Sequence, residues 1–386
     1  MRAAPEPVRA PIAERWVAVG CAEAGDRADA AERATAAALA GRVDPRLLVV
    51  FVAGAQNLAA TGRAVAAVAP GVPVVGCATP AALPGGPPRP GELVVAALGG
   101  ESLSVSTTAV GAGSLREAGA EAAACLGDVA DRPHQALLLF VEPDGGDPQD
   151  VVRGAYSVVG AGVPLVGGGA AGGAPGVAAL LHGGDVRAGG VVAAAIGSNA
   201  PLGVGVRHGM RPVGEPLLIT RAEGSQVLEL DGRPALDVYL ERLPGVAGGG
   251  GALLAAAREL PLGVGRRAGE EQVRTVVDVD FDTRSLSVLG ELPQGGLAWP
   301  MAGDAASTAA AADAACADAL AALDGAPARG LLAFQSVTRG AYCDAGAFTH
   351  RAAGAPVARG NTIGQIARTR GLVGFHNQAI AILAVG

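Results

Sequence analysis

Lysine is absent: all 29 basic residues are arginine. A P-loop lysine, a Schiff-base lysine and a lysine general base are therefore excluded. Aromatic residues make up only 3% of the chain, so apolar volume must come from Ala, Val and Leu. Cysteine is scarce and odd in number: Cys21, Cys77, Cys125, Cys316 and Cys343 are widely spaced, with no C-x-x-C. That argues against a disulfide framework and against a thiolate zinc site. The five histidines, at 134, 182, 208, 350 and 376, lack metal-ligand spacing, so no metal and no cofactor is expected. No uncharged apolar run approaches the roughly 18 residues that a membrane helix needs. The opening MRAAPEPVRAPIAERW has three prolines and no apolar h-region, and so does not read as a signal peptide. A soluble cytoplasmic protein is the expectation. The net charge, 29 − 36 = −7, gives no electrostatic basis for a nucleic-acid footprint.

The chain has 386 residues, half of them apolar. That is enough for a sizeable core and for two or three domains. A repeat organises it. Leu47-Leu48-Val49-Val50-Phe51, Leu137-Leu138-Leu139-Phe140 and Leu331-Leu332-Ala333-Phe334 are apolar runs too short for helices. They read as buried strands. Each ends in Phe, which places three of the six phenylalanines at one equivalent position. After 20, 22 and 20 residues comes G-x-P with an apolar pair: Gly71-Val72-Pro73, Gly162-Val163-Pro164 and Gly354-Ala355-Pro356. Pro removes a ladder donor and so belongs at a strand start. A Gly-rich loop and a third apolar run come next, at Leu93 to Leu98, Val191 to Ile196 and Ala379 to Ala384. The predicted unit is strand–helix–strand–loop–strand. The predicted fold class is mixed α/β, with repeated units forming twisted sheets covered by helices.

Asn57 and Asp147 read as helix N-caps, the latter followed by Pro148 at the first helical position. Further helices are expected at 29–40, at 115–126 and from Asp304 to near Leu323. Leu217–Thr220 and Val227–Leu230 read as strands, with a helix from Pro234 to about Leu243. Val273–Phe281 and Leu286–Leu289 form a hairpin signal. Residues 247–252 (AGGGGA) read as a loop. The composition shifts near Asn199-Ala200-Pro201. That divides the chain into an extension at 1–15, a domain of two units at 16–200, and a domain at 201–386 holding the hairpin segment and the third unit.

Several motifs resemble the FIST family of bacterial signal-transduction proteins, with paired N- and C-domains, from about Trp16 to Gly386. They are Val74-Val75-Gly76-Cys77-Ala78-Thr79, Pro164-Leu165-Val166-Gly167-Gly168, Leu230-Asp231-Gly232-Arg233-Pro234-Ala235, Thr338-Arg339-Gly340-Ala341-Tyr342 and Phe375-His376-Asn377-Gln378. The resemblance implies a sensor of small ligands, amino acids being one proposed class. No transmitter segment is visible, so output would pass to a protein partner in trans. Two positions depart from the family's Thr/Tyr-x-Gly-Glu-Ile pattern: Ala82 and Gln365 stand where an acid is usual. Without these acids, a neutral or anionic ligand suits Gln365 and Arg339 better than a cation.

Loops after strand ends are where α/β sheets bind ligands. The candidate ligand residues are Asn57, Cys77 and Thr79 from the first unit, and Arg339, Tyr342, Asn361, Thr362, Gln365, His376 and Asn377 from the third. No catalytic residue is assigned. Arg339 could equally form a salt bridge, and His376 could cap a loop carbonyl. Cys77 and Cys343 could be packing residues or, in a second reading, nucleophiles of a cysteine-dependent hydrolase or transferase. A third reading is a ligand-free protein scaffold. Gly167 to Gly173 reads as a hairpin or a loop over a cleft rather than a phosphate cradle. The leading expectation is a sensor that binds an amino acid or another small polar metabolite. Neither membrane nor nucleic acid is expected as a partner.

Overall fold

A computed structural model describes residues 15–23, 27–80, 92–111, 113–142, 146–171, 177, 179–243, 250–265, 272–338, 348–369 and 374–386. The repeat is present, and it is larger than the sequence pattern suggests. Each predicted unit is preceded by an outer strand and a helix. The first module runs Trp16–Glu23, helix Arg27–Leu39, strand Pro45–Ala53, helix Leu58–Val68, strand Val74–Thr79 and strand Glu92–Gly99. The second runs Leu103–Val110, helix Leu115–Ala123, His134–Val141, helix Pro148–Val159, Leu165–Gly169 and Val191–Ser198. The third runs Leu202–Arg207, helix Ala305–Ala321, Gly330–Ser336, a 3-10 turn Thr349–Ala352, Val357–Thr362 and Ile380–Val385. The third module thus has a short turn where the others have a second helix, among the described residues.

Every module orders its strands alike: outer, closing, Phe-bearing, return. The return strand is parallel to the Phe strand, with Phe51 opposite Cys77, Phe140 opposite Gly168 and Phe334 opposite Gly360. The repeated proline sits where its missing donor costs nothing. Its carbonyl accepts from Leu48 N at 2.9 Å, from Leu137 N at 3.0 Å and from Leu331 N at 2.9 Å.

Alternation along the strands gives each sheet an inner and an outer face. The inner faces form one central core, which contains Val49, Leu138, Leu332 and all three phenylalanines. The three rings touch edge-on, with centroids 6.0, 5.7 and 6.0 Å apart. Such pairs add about 0.5–1.5 kcal/mol each beyond the area they bury. Glycine on the neighbouring strand makes this approach possible: a Cβ on Gly360 would lie 2.2 Å from the Phe51 ring. The outer faces pack on helices. In the second module Leu137, Leu139 and Val141 meet Val151, Val152 and Ala155 of helix Pro148–Val159.

Modules also lend strands to one another. The hairpin Leu180–His182/Asp185–Arg187 of the second module extends the first module's sheet, with Leu180 opposite Cys77. Strands Gln365–Arg368 and Phe375–His376 of the third extend the second module's sheet, with Gln365 opposite Gly168.

A nine-stranded antiparallel sheet is inserted between the third module's outer strand and its helix. The predicted strands and helix appear here as Leu217–Glu223, Gln226–Leu230 and Ala235–Arg242, and the hairpin as Val276–Asp280/Ser285–Val288. This sheet has its own core, with Leu217, Ile219, Leu236 and Leu262 around Tyr239. The Tyr239 hydroxyl donates towards the carbonyls of Ala257 (3.2 Å) and Leu260 (2.7 Å).

Two loop expectations are corrected over the described residues; 247–249 of the first stretch and 172–173 of the second lie outside them. Gly250 opens a helix that runs to Glu259, because the Ala- and Leu-rich stretch behind it favours helix strongly enough to recruit two glycines. Gly167–Gly169 belong to the return strand of the second module. There they serve close packing: a Cβ on Gly168 would lie 2.7 Å from the Thr362 side chain. Asp147 and Asp304 are caps as expected. Asp147 accepts from Gln149 N at 2.9 Å. Asp304 and Ser307 form a reciprocal capping box.

Candidate functional site

The strand registers define a layer just beyond the aromatic triad, at the carboxyl ends of the parallel strands. Two residues on from each Phe, on the same sheet face, stand Ala53, Glu142 and Ser336. Two residues on from Cys77, Gly168 and Gly360 stand Thr79, Ala170 and Thr362. All six are buried. Four are polar, above a core that is otherwise apolar. The Glu142 carboxylate accepts from Gly189 N. Ser336 Oγ lies 2.8 Å from Thr338 Oγ1. Gln365 Nε2 donates to Thr362 Oγ1 at 3.1 Å, and Gln365 Oε1 accepts from Ala379 N at 3.1 Å. Glu142 and Ser336 are absent from the sequence-derived candidates. Their signal was available in the repeat itself, as the positions two after each equivalent Phe.

The candidates from sequence separate into several places. Thr79, Thr362 and Gln365 share the buried layer, with Cys77 one level beneath. The Cys77 thiol is fully buried, and desolvation holds it protonated, far above its ordinary range. Asn361 is half-buried on the opposite face of its strand from Thr362. Asn57 ends the 3-10 turn that leads into helix Leu58–Val68. Arg339, Tyr342 and Cys343 lie outside the described residues.

His376 and Asn377 occupy a segment that ties the modules to the inserted sheet. The His376 ring Nε2 meets the Ala367 carbonyl at 2.9 Å. Asn377, buried, accepts from Thr275 N through Oδ1 at 3.1 Å. Gln272 Nε2 donates to the Phe375 carbonyl at 3.0 Å, and Gln378 Nε2 donates to the Arg258 carbonyl at 2.7 Å. On the other side, Phe375 N donates to Gln149 Oε1 at 3.1 Å.

Against this tether lies a cavity of about 390 Å³, within the usual size of small-molecule sites. Its walls are Gln149 and Arg153 from the second module, and Gly224, Gln272, Arg274, Glu291, Leu292 and Pro293 from the inserted sheet. Both glutamines that hold Phe375 therefore also line it. Arg153 Nη2 donates to Glu291 at 2.7 Å, and Nη1 to Asp150 at 2.9 Å. Arg274 is only 3% exposed, an unusual degree of burial for a guanidinium. Its Nε donates to the Glu291 carbonyl at 3.0 Å and its Nη1 to the Val273 carbonyl at 3.1 Å. Behind the wall, burial pushes the Asp147 carboxyl above its ordinary range. The cap hydrogen bond from Gln149 opposes this, the nearby Glu291 adds to it, and Arg274 and Arg153 oppose it.

Sequence reasoning did not find this cavity. Arg153, Arg274 and Glu291 belong to no motif, and the chain separates the first from the other two by more than a hundred residues. Among the described residues no group of three His, Cys, Asp or Glu side chains could hold a metal ion. No described helix is long and apolar enough to cross a membrane.

Comparison with known proteins yields two family models. One, described as the FIST N domain, matches residues 46–233; the other, described as the FIST C domain, matches residues 235–368. No curated protein matches the chain. Among solved structures, cyanuric acid hydrolase from A. caulinodans aligns at 15% identity, covering 47% of this chain and 71% of that one, with a TM-score of 0.26. A second structure of cyanuric acid hydrolase aligns at 16% identity, covering 50% and 72%, with a TM-score of 0.28. Scores this low carry no argument about what the chain does.

Proposed function

Starting from a chain that belongs to the FIST family, we propose that this protein is a sensory module: it binds a small polar ligand in the junction cavity and passes the signal to a protein partner. One observation carries the reading. The cavity lies between the second module and the inserted sheet, and Gln149 and Gln272, which line it, also clamp Phe375 of the segment joining the two. A ligand there touches both bodies at once and can shift their relation, which is what a sensor requires. The cavity's mixture of guanidinium, carboxylate, amide and apolar wall is that of a metabolite site. The reading through a Cys77 nucleophile has chemistry against it, since a fully buried, desolvated thiol stays protonated.

The test is a thermal-shift screen of small polar metabolites on the whole chain, repeated on Pro293→Trp. Pro293 is exposed and lines the cavity, so an indole there fills the site without opening the core. At least one compound should raise the melting point of the native chain by several degrees, as a ligand at about 100 times its Kd does. The same compound should leave Pro293→Trp unmoved. Shifts of equal size in both proteins would place the ligand elsewhere.

A further inference from the structure

We propose that the ligand of the junction cavity is a neutral carboxamide: its carbonyl accepts from Gln149 Nε2, its N–H donates to Gln272 Oε1, and its apolar body lies against Leu292 and Pro293. This rests on the reading of the cavity as the ligand site, and adds the chemistry it selects.

The two glutamines come first. The Gly374 carbonyl accepts from Ala367 N at 2.8 Å, where this segment pairs with strand Gln365–Arg368. Neighbouring residues of an antiparallel ladder alternate in direction, so the N–H and C=O of Phe375 both face the other side. There Gln149 and Gln272 stand in place of a strand. Gln149 Oε1 accepts from Phe375 N at 3.1 Å, and Gln272 Nε2 donates to the Phe375 carbonyl at 3.0 Å. A backbone N–H can only donate and a carbonyl can only accept, so the orientation of each side-chain amide is forced. Left over are Nε2 of Gln149, a donor, and Oε1 of Gln272, an acceptor. Among the described residues neither atom has a protein partner. Gln149 is only 7% exposed, and both residues line the cavity. Because both amides are clipped to one residue, the spare donor and the spare acceptor stand as neighbours in the cavity wall. An amide presents the complement, a C=O beside an N–H. A carboxylate, a ketone or an ester lacks the donor, and an ammonium lacks the acceptor.

Charge points to a neutral molecule. Arg153 already gives Nη2 to Glu291 at 2.7 Å and Nη1 to Asp150 at 2.9 Å. Arg274 is bound to the carbonyls of Glu291 and Val273. Asp147 stands behind the wall, where it caps Gln149 N. Two guanidiniums therefore answer three carboxyl groups, and no positive excess remains for an anion. An anion would have to displace Glu291 or Asp150 from Arg153. A cation would meet the Gln149 amide nitrogen and, beside it, the positive end of a 12-residue helix. A carboxamide meets neither obstacle. Leu292 and Pro293 form the apolar part of the wall and take up its hydrocarbon body.

The experiment is calorimetric titration of the full chain with benzamide and two compounds of the same shape: benzoate, in which a charged oxygen replaces the amide nitrogen, and acetophenone, in which a methyl group does. The same titrations are made on Pro293→Trp and Gln149→Glu. Glutamate keeps an oxygen for Phe375 N and suits the first turn of a helix, but offers a ligand no donor. On the native chain benzamide should bind at least about ten-fold more tightly than benzoate or acetophenone, the effect of leaving one polar group of the site unpaired. Pro293→Trp should abolish that binding. Gln149→Glu should weaken benzamide about ten-fold while its far-ultraviolet dichroism stays native; if the variant does not fold, the ranking on the native chain decides alone. Benzoate or acetophenone matching benzamide, with all of them blocked by Pro293→Trp, would overturn the carboxamide and leave the cavity standing. Undiminished benzamide binding by folded Gln149→Glu would overturn the assigned donor. Saturable binding that Pro293→Trp leaves intact would overturn the cavity itself, and absence of saturable benzamide binding would overturn the assignment.

Discussion

Phe51, Phe140 and Phe334 are equivalent in sequence and in space, and each occupies the place where its own module meets the other two. In a chain so poor in aromatics, three rings at one point form a contact that Ala and Val could not supply. Two places further along, the modules diverge to Ala53, Glu142 and Ser336, so the shared core gives way to a layer in which each module differs. Asp147 is a residue whose environment makes a pH prediction. Its folded carboxyl lies above the ordinary range, so the folded state binds this proton more tightly than the unfolded chain does. Its ionisation therefore removes stability as pH rises from about 4 upwards through the raised value. Asn caps helices about as well as Asp. Asp147→Asn should thus match the native chain at the acid end of urea titrations and exceed it at neutral pH. A deficit at neutral pH would show that the guanidiniums outweigh the burial.

The element that matters most at the next scale is the short strand Phe375–His376 with the two residues after it. The strand is short and pairs with Gln365–Arg368, and it is held from elsewhere by the Gln149 and Gln272 side chains and, through Gln378, by a backbone carbonyl of helix Gly250–Glu259. Asn377→Ala removes the acceptor of a buried backbone N–H, that of Thr275. The cost should be about 1–3 kcal/mol. It should appear as faster amide exchange across Gln272–Arg274 and Val276–Asp280, with the Phe strands unaffected. Uniform loss across all modules would mean that the tether is part of the central core. Several elements are readable from sequence because their signals are local. Asp147–Pro148 and Asp304–Ser307 announce helices by capping chemistry, and G-x-P announces return strands. Strand Trp16–Glu23 and its equivalents, which begin each module, carry no such signal. Their pairing partner is the last strand of the same module, Glu92–Gly99 in the first, a contact that no local pattern encodes.

At the scale of the whole molecule, the repeat is legible because each module buries the same kind of strand at the same spacing. The layer at the strand ends is partly legible, through Thr79, Thr362 and Gln365. The cavity is not. It arises where an insertion within the third module folds back against a helix of the second, joining Arg153 to Glu291 and setting Gln272 beside the Phe375 that Gln149 holds. Residues that meet only through such a fold-back have no common spacing and no shared motif. For the proposed ligand the strand-end layer competes with the junction, and the junction holds a space of about 390 Å³ between the second module and the inserted sheet. Amide hydrogen exchange with and without the strongest stabiliser from the metabolite screen separates them most directly. Slower exchange should appear in peptides covering residues 149–153, 272–276 and 289–294, while residues 76–79 and 360–366 stay unchanged. Protection confined to 76–79 and 360–366, with the junction peptides unaltered, would contradict a ligand site at the junction.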